Sequence, residues 1–344
     1  MCTGAAIRHR TSSQLSTVGV ARSSIPTSRV HPPPVAPVSN TCSTAVNLYG
    51  RRVADRDRSG RRAPSSRRPP TSPNWPTGPV QISSGTVEVV RAPDDPTGVT
   101  VLVNGVPSSH LDLVDPTHLS FEYMQQMAAV LDRLAPPAPL VVVHLGAAGC
   151  ALACYVHATR PASRQLAIEL DPDLPALVRA WFDLPRAPAL RIRTGDARAE
   201  LATVPDASAD AVVRDVFAGD RTPEHVTTRE FTVDVARALR PGGLYLANCA
   251  DRPPLTRARA EAATLASVFA DVAVIAEPGQ LRGRRYGNLV LAGTDDPALL
   301  RSADLDRVLR SLPAPSRLLR DAALAAFIGS APPILDAAVP FGGA

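Results

Sequence analysis

Hydrophobic positions show no period before residue 80, and from there on they fall into short runs separated by polar and proline-rich breaks. The runs 80–90 and 99–103 read as strands. The Asn104-Gly105 pair that follows tolerates positive φ at both positions, which a tight type I′ turn requires. A small β-hairpin element over residues 80–120 is therefore expected. Phe121, Met124, Met127, Val130, Leu131 and Leu134 recur at helical spacing, and Pro136-Pro137 ends that helix. Beyond it, strand patterns at 140–145, 165–170, 189–193, 211–216, 244–248, 272–276 and 286–292 alternate with helical patterns such as 173–182, 229–239 and 256–269. This alternation predicts an α/β domain over 121–312, with a seven-stranded, mostly parallel sheet and helices on both faces. Only residues 277–285 separate the last two strands, too few for a helical crossover, so that pair is expected to be antiparallel. Residues 313–344 read as a short amphipathic helix, 318–328, and a tail, 330–344.

The stretch 139–156 has His144 as its one strongly polar side chain and meets a bare hydropathy threshold for a membrane span. Val141-Val142-Val143 is β-branched, however, and Gly146 and Gly149 interrupt the run. A buried strand, a tight turn and a buried helix explain it better, and no membrane association is expected.

Charge separates the two ends of the chain. Residues 1–80 hold 12 arginines and 11 prolines against only Asp55 and Asp57, a net of +10, while the remainder carries 25 arginines against 30 acids. Such a head, residues 1–79, cannot offset its ordering entropy by burial and reads as disordered. An arginine-rich tail for nucleic acid or a membrane surface is the alternative there; the rest of the chain gives no reason to expect nucleic acid. The head has no apolar core of a secretory signal. All 37 Lys+Arg cations are arginine, so mechanisms that need a lysine amine are excluded. The five cysteines are odd in number and irregularly spaced, with no C-x-x-C, so neither a disulfide framework nor a metal site is expected and a reducing cytoplasm fits.

Candidate chemistry sits at the ends of four successive strands. The first ends in Gly146-Ala147-Ala148-Gly149, whose small residues let backbone approach a ligand or, equally, let a helix pack on the strand. About 20 residues on, the second ends in Glu169-Leu170-Asp171, where an acid can accept from both hydroxyls of a ribose; a solvated strand-end acid is the alternative. Asp171, before Pro172, reads as a helix cap. The third ends in Gly195-Asp196-Ala197, which could read an adenine amino group and ring nitrogen or be an ordinary turn. The fourth ends in Asp215, at the carboxyl edge where open α/β sheets bind ligands. His110, His118, His144, His157 and His225 lack metal spacing and read as surface or capping residues.

In this order and with these neighbours, residues 80–294 resemble the spermidine synthase (polyamine aminopropyltransferase) family, within the S-adenosylmethionine-dependent methyltransferase superfamily and its Rossmann-like domain. Val101-Leu102-Val103-Asn104-Gly105-Val106, Phe121-Glu122-Tyr123, the four strand ends and Arg240-Pro241-Gly242-Gly243 carry the likeness. The resemblance implies that Gly146 lies against the methionine-derived part of a nucleoside, Glu169 holds its ribose, and Asp196 with the Ala197 amide holds its adenine. It implies Asp215 as catalytic acid–base, Tyr123 and Asp220 toward an amine acceptor, no metal, and often a homodimer. The co-substrate would be S-adenosylmethionine or its decarboxylated form, and the reaction aminopropyl transfer. Methyl transfer to a small acceptor, or a nucleoside-binding homologue without catalysis, remain alternatives. The chain departs from the family pattern in several places. Ala147-Ala148 stand in the glycine turn, Ala218 stands three residues after Asp215, and Tyr123-Met124-Gln125 replaces Tyr-His-Glu. Arg282-Gly283-Arg284-Arg285-Tyr286-Gly287 occupies the place of Pro-Thr-Tyr-Pro.

Overall fold

The structure, a computed structural model, describes residues 74–92, 95–134, 138–219 and 221–337. Most of the expected disordered head therefore lies outside the described residues, as does Asp220. Within the stretch expected to be disordered, Trp75 is buried against Phe182 with ring centroids 5.7 Å apart.

An antiparallel sheet comes first: β1 (Val80–Ile82), β2 (Gly85–Arg91), β3 (Gly98–Val103) and β4 (Val106–Asp112), paired in chain order. The expected hairpin is thus part of a four-stranded sheet. Its Asn104-Gly105 turn has φ of 53° and 76°, as its residues dictate. The run 80–90 breaks at Ser83-Ser84 because two acids from the next layer claim that turn. Ser83 donates from N and Oγ to Asp173 Oδ2, and Ser84 N–H donates to Asp171 Oδ2. Gly85, at φ +134°, leaves room for the Asn104 side chain, whose Oδ1 would lie 1.9 Å from a Cβ there.

After α1 (Glu122–Leu131), the chain builds the second sheet. It runs β5 (Val141–Leu145), α2 (Ala151–Thr159), β6 (Arg164–Glu169), α3 (Leu174–Trp181), β7 (Leu190–Thr194), α4 (Ala197–Leu201), β8 (Ala209–Arg214). It continues α5 (Arg229–Ala238), β9 (Leu239–Asp251), α6 (Thr256–Ala266), β10 (Asp271–Ala276), α7 (Pro278–Leu281), β11 (Gly287–Thr294). The last elements are α8 (Pro297–Leu300), α9 (Ala303–Ser311), β12 (Arg317–Leu319) and α10 (Asp321–Ile328). The strand order is β12-β10-β11-β9-β8-β5-β6-β7. Strands β7, β6, β5, β8 and β9 pair in parallel, and β10 and β11 are antiparallel as their short connection required. All seven expected strands are present, and β12 adds an eighth at the edge, antiparallel to β10. Its three residues are too few to show a period, so sequence assigned Leu318 and Leu319 to a helix that begins only at Asp321. Arg240-Pro241-Gly242-Gly243 forms a bulge in β9, where Ala209 pairs Leu239 and Ala211 already pairs Leu244.

Both faces are covered. One core joins α1, α2, α3, α8 and α9 with the small sheet; the other joins α4, α5, α6 and α10. Phe231, Val235 and Ala238 of α5 show how a face is chosen. They follow helical spacing and are fully buried, and Thr228 Oγ1 caps the helix by accepting from Phe231 N–H. Burying side chains the size of Phe and Val is worth about 1.5–3 kcal/mol each. The tail is also part of the fold: Ile334 N–H donates to Thr264 Oγ1, and Ile334 O accepts from Arg229 N–H. After β5 the chain moves outward through β6 and β7, then returns to β8 on the other side of β5. That reversal puts the switch point of the strand order at the carboxyl ends of β5 and β8, the place where open α/β sheets bind ligands.

Candidate active site

Asp215 follows the last residue of β8, and its N–H donates to Leu145 O of β5 at 2.8 Å. Its two carboxylate oxygens are held separately. Tyr123 OH donates to Oδ2 and Asn248 Nδ2 to Oδ1, each at 2.9 Å. Tyr123 comes from the first turn of α1 and Asn248 from β9, so three elements converge on one carboxyl. Desolvation raises the Asp215 pKa above its ordinary value, while the bonds from Asn248 and Tyr123 and the Arg214 charge oppose that rise. A carboxylate of raised basicity, oriented at both oxygens, is suited to receiving a proton.

Gly146 meets Asp215 directly. It has φ +89°, and a Cβ there would lie 2.2 Å from Asp215 O. Only glycine lets the turn after β5 and the turn after β8 touch. The next residues are held in strained backbone, Ala148 at φ +39° and Cys150 at φ +60°. Glu169, at the end of β6, accepts through Oε2 from Ala147 N–H and Ala148 N–H at 3.2 and 3.0 Å. The N-cap of α3 is Asp173, two residues beyond the cap expected at Asp171, which instead accepts from Asp173 and Leu174 N–H in the turn that leads into the helix.

Asp196 begins α4. Its Oδ1 accepts from Arg198 and Ala199 N–H at 3.0 Å each, and its Oδ2 lies 2.8 Å from His225 Nε2. Burial pushes its pKa up, but the Ala199 N–H and His225 outweigh that and hold it below the usual carboxylate value. The Gly146, Glu169, Asp196 and Asp215 positions thus lie at the carboxyl ends of β5, β6, β7 and β8. With neighbouring strands roughly 5 Å apart, this edge spans about 15 Å, enough for an extended nucleoside.

Three participants were not foreseen. Asn248 ends the strand expected at 244–248, so a polar side chain beside Asp215 was visible there. His225, from the 3-10 turn Glu224–Val226, gave no such signal. Arg214 is fully buried just before Asp215, where its guanidinium donates to Val226 O, Asn248 O and Glu261 Oε2. His144 and His110 are buried rather than exposed; His144 lies 2.8 Å from Gln165 Oε1, and burial lowers its pKa to about 4. Where the chain departs from the family pattern, Gln125 Nε2 donates to Leu119 O, and Arg285 pairs with Glu277 at 2.5 Å. Arg252 lies over the Tyr286 ring at 5.8 Å. Among the described residues, no group of His, Cys, Asp and Glu could hold a metal ion, and no helix is long and apolar enough to cross a membrane.

No family profile matches the chain. A polyamine aminopropyltransferase of Chromobacterium violaceum is 30% identical over 141 residues, 41% of this chain and 53% of that protein. Another, of Vibrio vulnificus, is 26% identical over 186 residues, 54% of this chain and 61% of that protein. The matches thus span less than two thirds of both relatives. The crystal structure of a probable spermidine synthase from Corynebacterium glutamicum is similar at a TM-score of 0.72 and 36% identity, covering 78% of this chain and all of that one. With identity at that level over the whole of that structure, and the strand-end residues arranged as described, this chain belongs to the spermidine synthase-like family.

Proposed function

We propose that the protein is an aminopropyltransferase that moves the three-carbon amine of decarboxylated S-adenosylmethionine to a small amine acceptor. The observation that carries this reading is the Asp215 carboxylate, oriented by Tyr123 and Asn248 beside the turn at Gly146. In the proposed reaction, a neutral acceptor nitrogen attacks the propyl carbon bonded to the sulfonium. The carbon–sulfur bond breaks, its electron pair stays on sulfur as a neutral thioether, and the proton lost from nitrogen passes to Asp215. The sulfonium brings its own leaving group, so positioning in line and proton acceptance are what the protein supplies. In this reading Glu169 holds the ribose diol, Asp196 and the Ala197 amide the adenine, Gly146 the sulfonium end, and Tyr123 and Asp220 the acceptor. Glu169 now bonds to the turn amides, so the ribose would share it. The buried thiols Cys150 and Cys249 are free, which supports a reducing, cytoplasmic setting.

The test is release of 5′-methylthioadenosine from decarboxylated S-adenosylmethionine with a panel of mono- and diamines. Asp215→Asn should lower turnover by about 100-fold or more while nucleoside binding persists. The acidic limb of the rate profile should lie above the ordinary aspartate pKa of about 4, since Asp215 must be ionised to accept the proton. Turnover unchanged in Asp215→Asn would remove its catalytic role. Methylation of an acceptor by intact S-adenosylmethionine, with no reaction of the decarboxylated form, would replace the proposal with methyl transfer.

A further inference from the structure

The C-terminal segment is bound to the two elements that surround Asp196. Arg198, in the first turn of α4, donates from both Nη atoms to the Asp336 carboxylate at 2.8 and 2.6 Å. The same guanidinium donates to His225 O at 3.1 Å. Asp336 N–H donates to Glu230 Oε2 at 2.9 Å, and Ile334 is fixed on both sides by Thr264 and Arg229. Contacts therefore run without a break from Asp336 through Arg198 to His225, and from the His225 ring to Asp196.

We propose that Asp336 and Arg198 form a latch that sets the slot between α4 and the Glu224–Val226 turn, making the C-terminal segment a positioning element for the adenine of the nucleoside donor. The inference rests on reading Asp196 and Ala197 as the adenine-binding pair. Helix α4 has five residues, too few to hold its own orientation, so its place depends on its ties. A guanidinium bonded to a carboxylate through two parallel N–H groups is fixed in plane as well as in distance. Asp196 Oδ2 is occupied by the His225 ring, and an adenine amino group must share or take that oxygen. Because Arg198 holds the His225 carbonyl, the imidazole can turn away without the loop opening. The negative charges of Glu230 and Asp234 also act on Arg198. With Asp336 removed, they would draw the guanidinium off His225 and release the loop.

The experiment uses the full chain with 5′-methylthioadenosine as calorimetric probe, plus steady-state KM for the decarboxylated donor and for an amine. Asp336→Ala and Arg198→Gln should each raise the probe Kd and the donor KM about tenfold, as expected for a charge-assisted pair, with kcat and amine KM changed less than twofold. Asp336→Glu should recover most of the affinity, and the double variant should be no worse than the poorer single one. Asp336→Ala binding the probe as the wild type does would overturn the latch. So would an equal loss in donor KM, amine KM and kcat, which marks general destabilisation. If Asp196→Asn leaves probe binding intact, the adenine reading itself fails, and a loss confined to Asp336→Ala would then place the nucleoside elsewhere.

Discussion

A single methyl group at residue 148 carries a cost that the chain tolerates. Ala148 adopts φ +39° so that its N–H and that of Ala147 both reach the Glu169 carboxylate. For an L-residue, left-handed backbone costs roughly 1–2 kcal/mol, and glycine avoids it at an entropy cost of about 0.4–1 kcal/mol. Ala148→Gly should therefore stabilise the protein by up to about 1.5 kcal/mol, read as a rise in denaturant midpoint at unchanged slope. A fall in midpoint would mean that the methyl packs better than its backbone strain suggests. Gly146 has no such latitude. Any side chain there would strike the Asp215 carbonyl 2.2 Å away, so the contact between glycine turn and carboxylate depends on one missing Cβ.

At the scale of elements, Arg214 ties β8 to β9, α6 and the turn that carries His225. The pair with Glu261 is 2.5 Å long and both groups are buried. Burial disfavours the Arg214 charge, but Glu261 outweighs it and holds the guanidinium protonated. Glu261→Gln would leave that charge uncompensated, at a cost of about 3–5 kcal/mol. Equilibrium denaturation checks this, and a loss below about 1 kcal/mol would show that water or another group reaches Arg214. Sequence revealed elements where burial was one-sided or complete. The β-branched runs of β5 and β8 and the alternation in β3 are legible because their partners dictate a period. β4 was announced only by the Asn104-Gly105 turn and not by a period of its own, because Ser108-Ser109-His110 interrupts it with polar side chains, His110 Nδ1 lying 3.0 Å from Thr100 Oγ1. The four strand-end residues were legible because their spacing along the chain follows from the fold. The ties through Arg214 and Asp336 were not, since residues 47 and 138 positions apart leave no local pattern.

Across the whole molecule, carboxylates with lowered pKa values join parts distant in sequence, and this predicts how acid takes the fold apart. Asp171 holds the small N-terminal sheet through Ser84; burial raises its pKa, but the bonds from Ser84, Asp173 and Leu174 bring it below the usual value. Asp196 is lowered by Ala199 and His225 against burial, and Arg198 holds Asp336 down to about 2. A carboxylate lowered in the folded state stabilises above its unfolded pKa of about 3.9 and loses that contribution as pH falls through its folded value. Stability should thus be flat in these groups above pH 5 and fall between about pH 4 and 2, by up to about 1.4 kcal/mol per pH unit for each group titrating. The exposed Asp196 and Asp336 should contribute less than that limit because solvent screens them. Asp215 acts with opposite sign: its raised pKa means that protonation relieves a cost, so it does not drive acid unfolding. Asp336 is held lowest of the three, so Asp336→Asn should lessen the fall throughout the interval from about pH 4 to 2 and flatten it most near pH 2, where the other two have already titrated. Urea midpoints measured from pH 7 to pH 2 for both chains test this, and stability lost mainly between pH 6 and 5 would assign the transition to histidines instead.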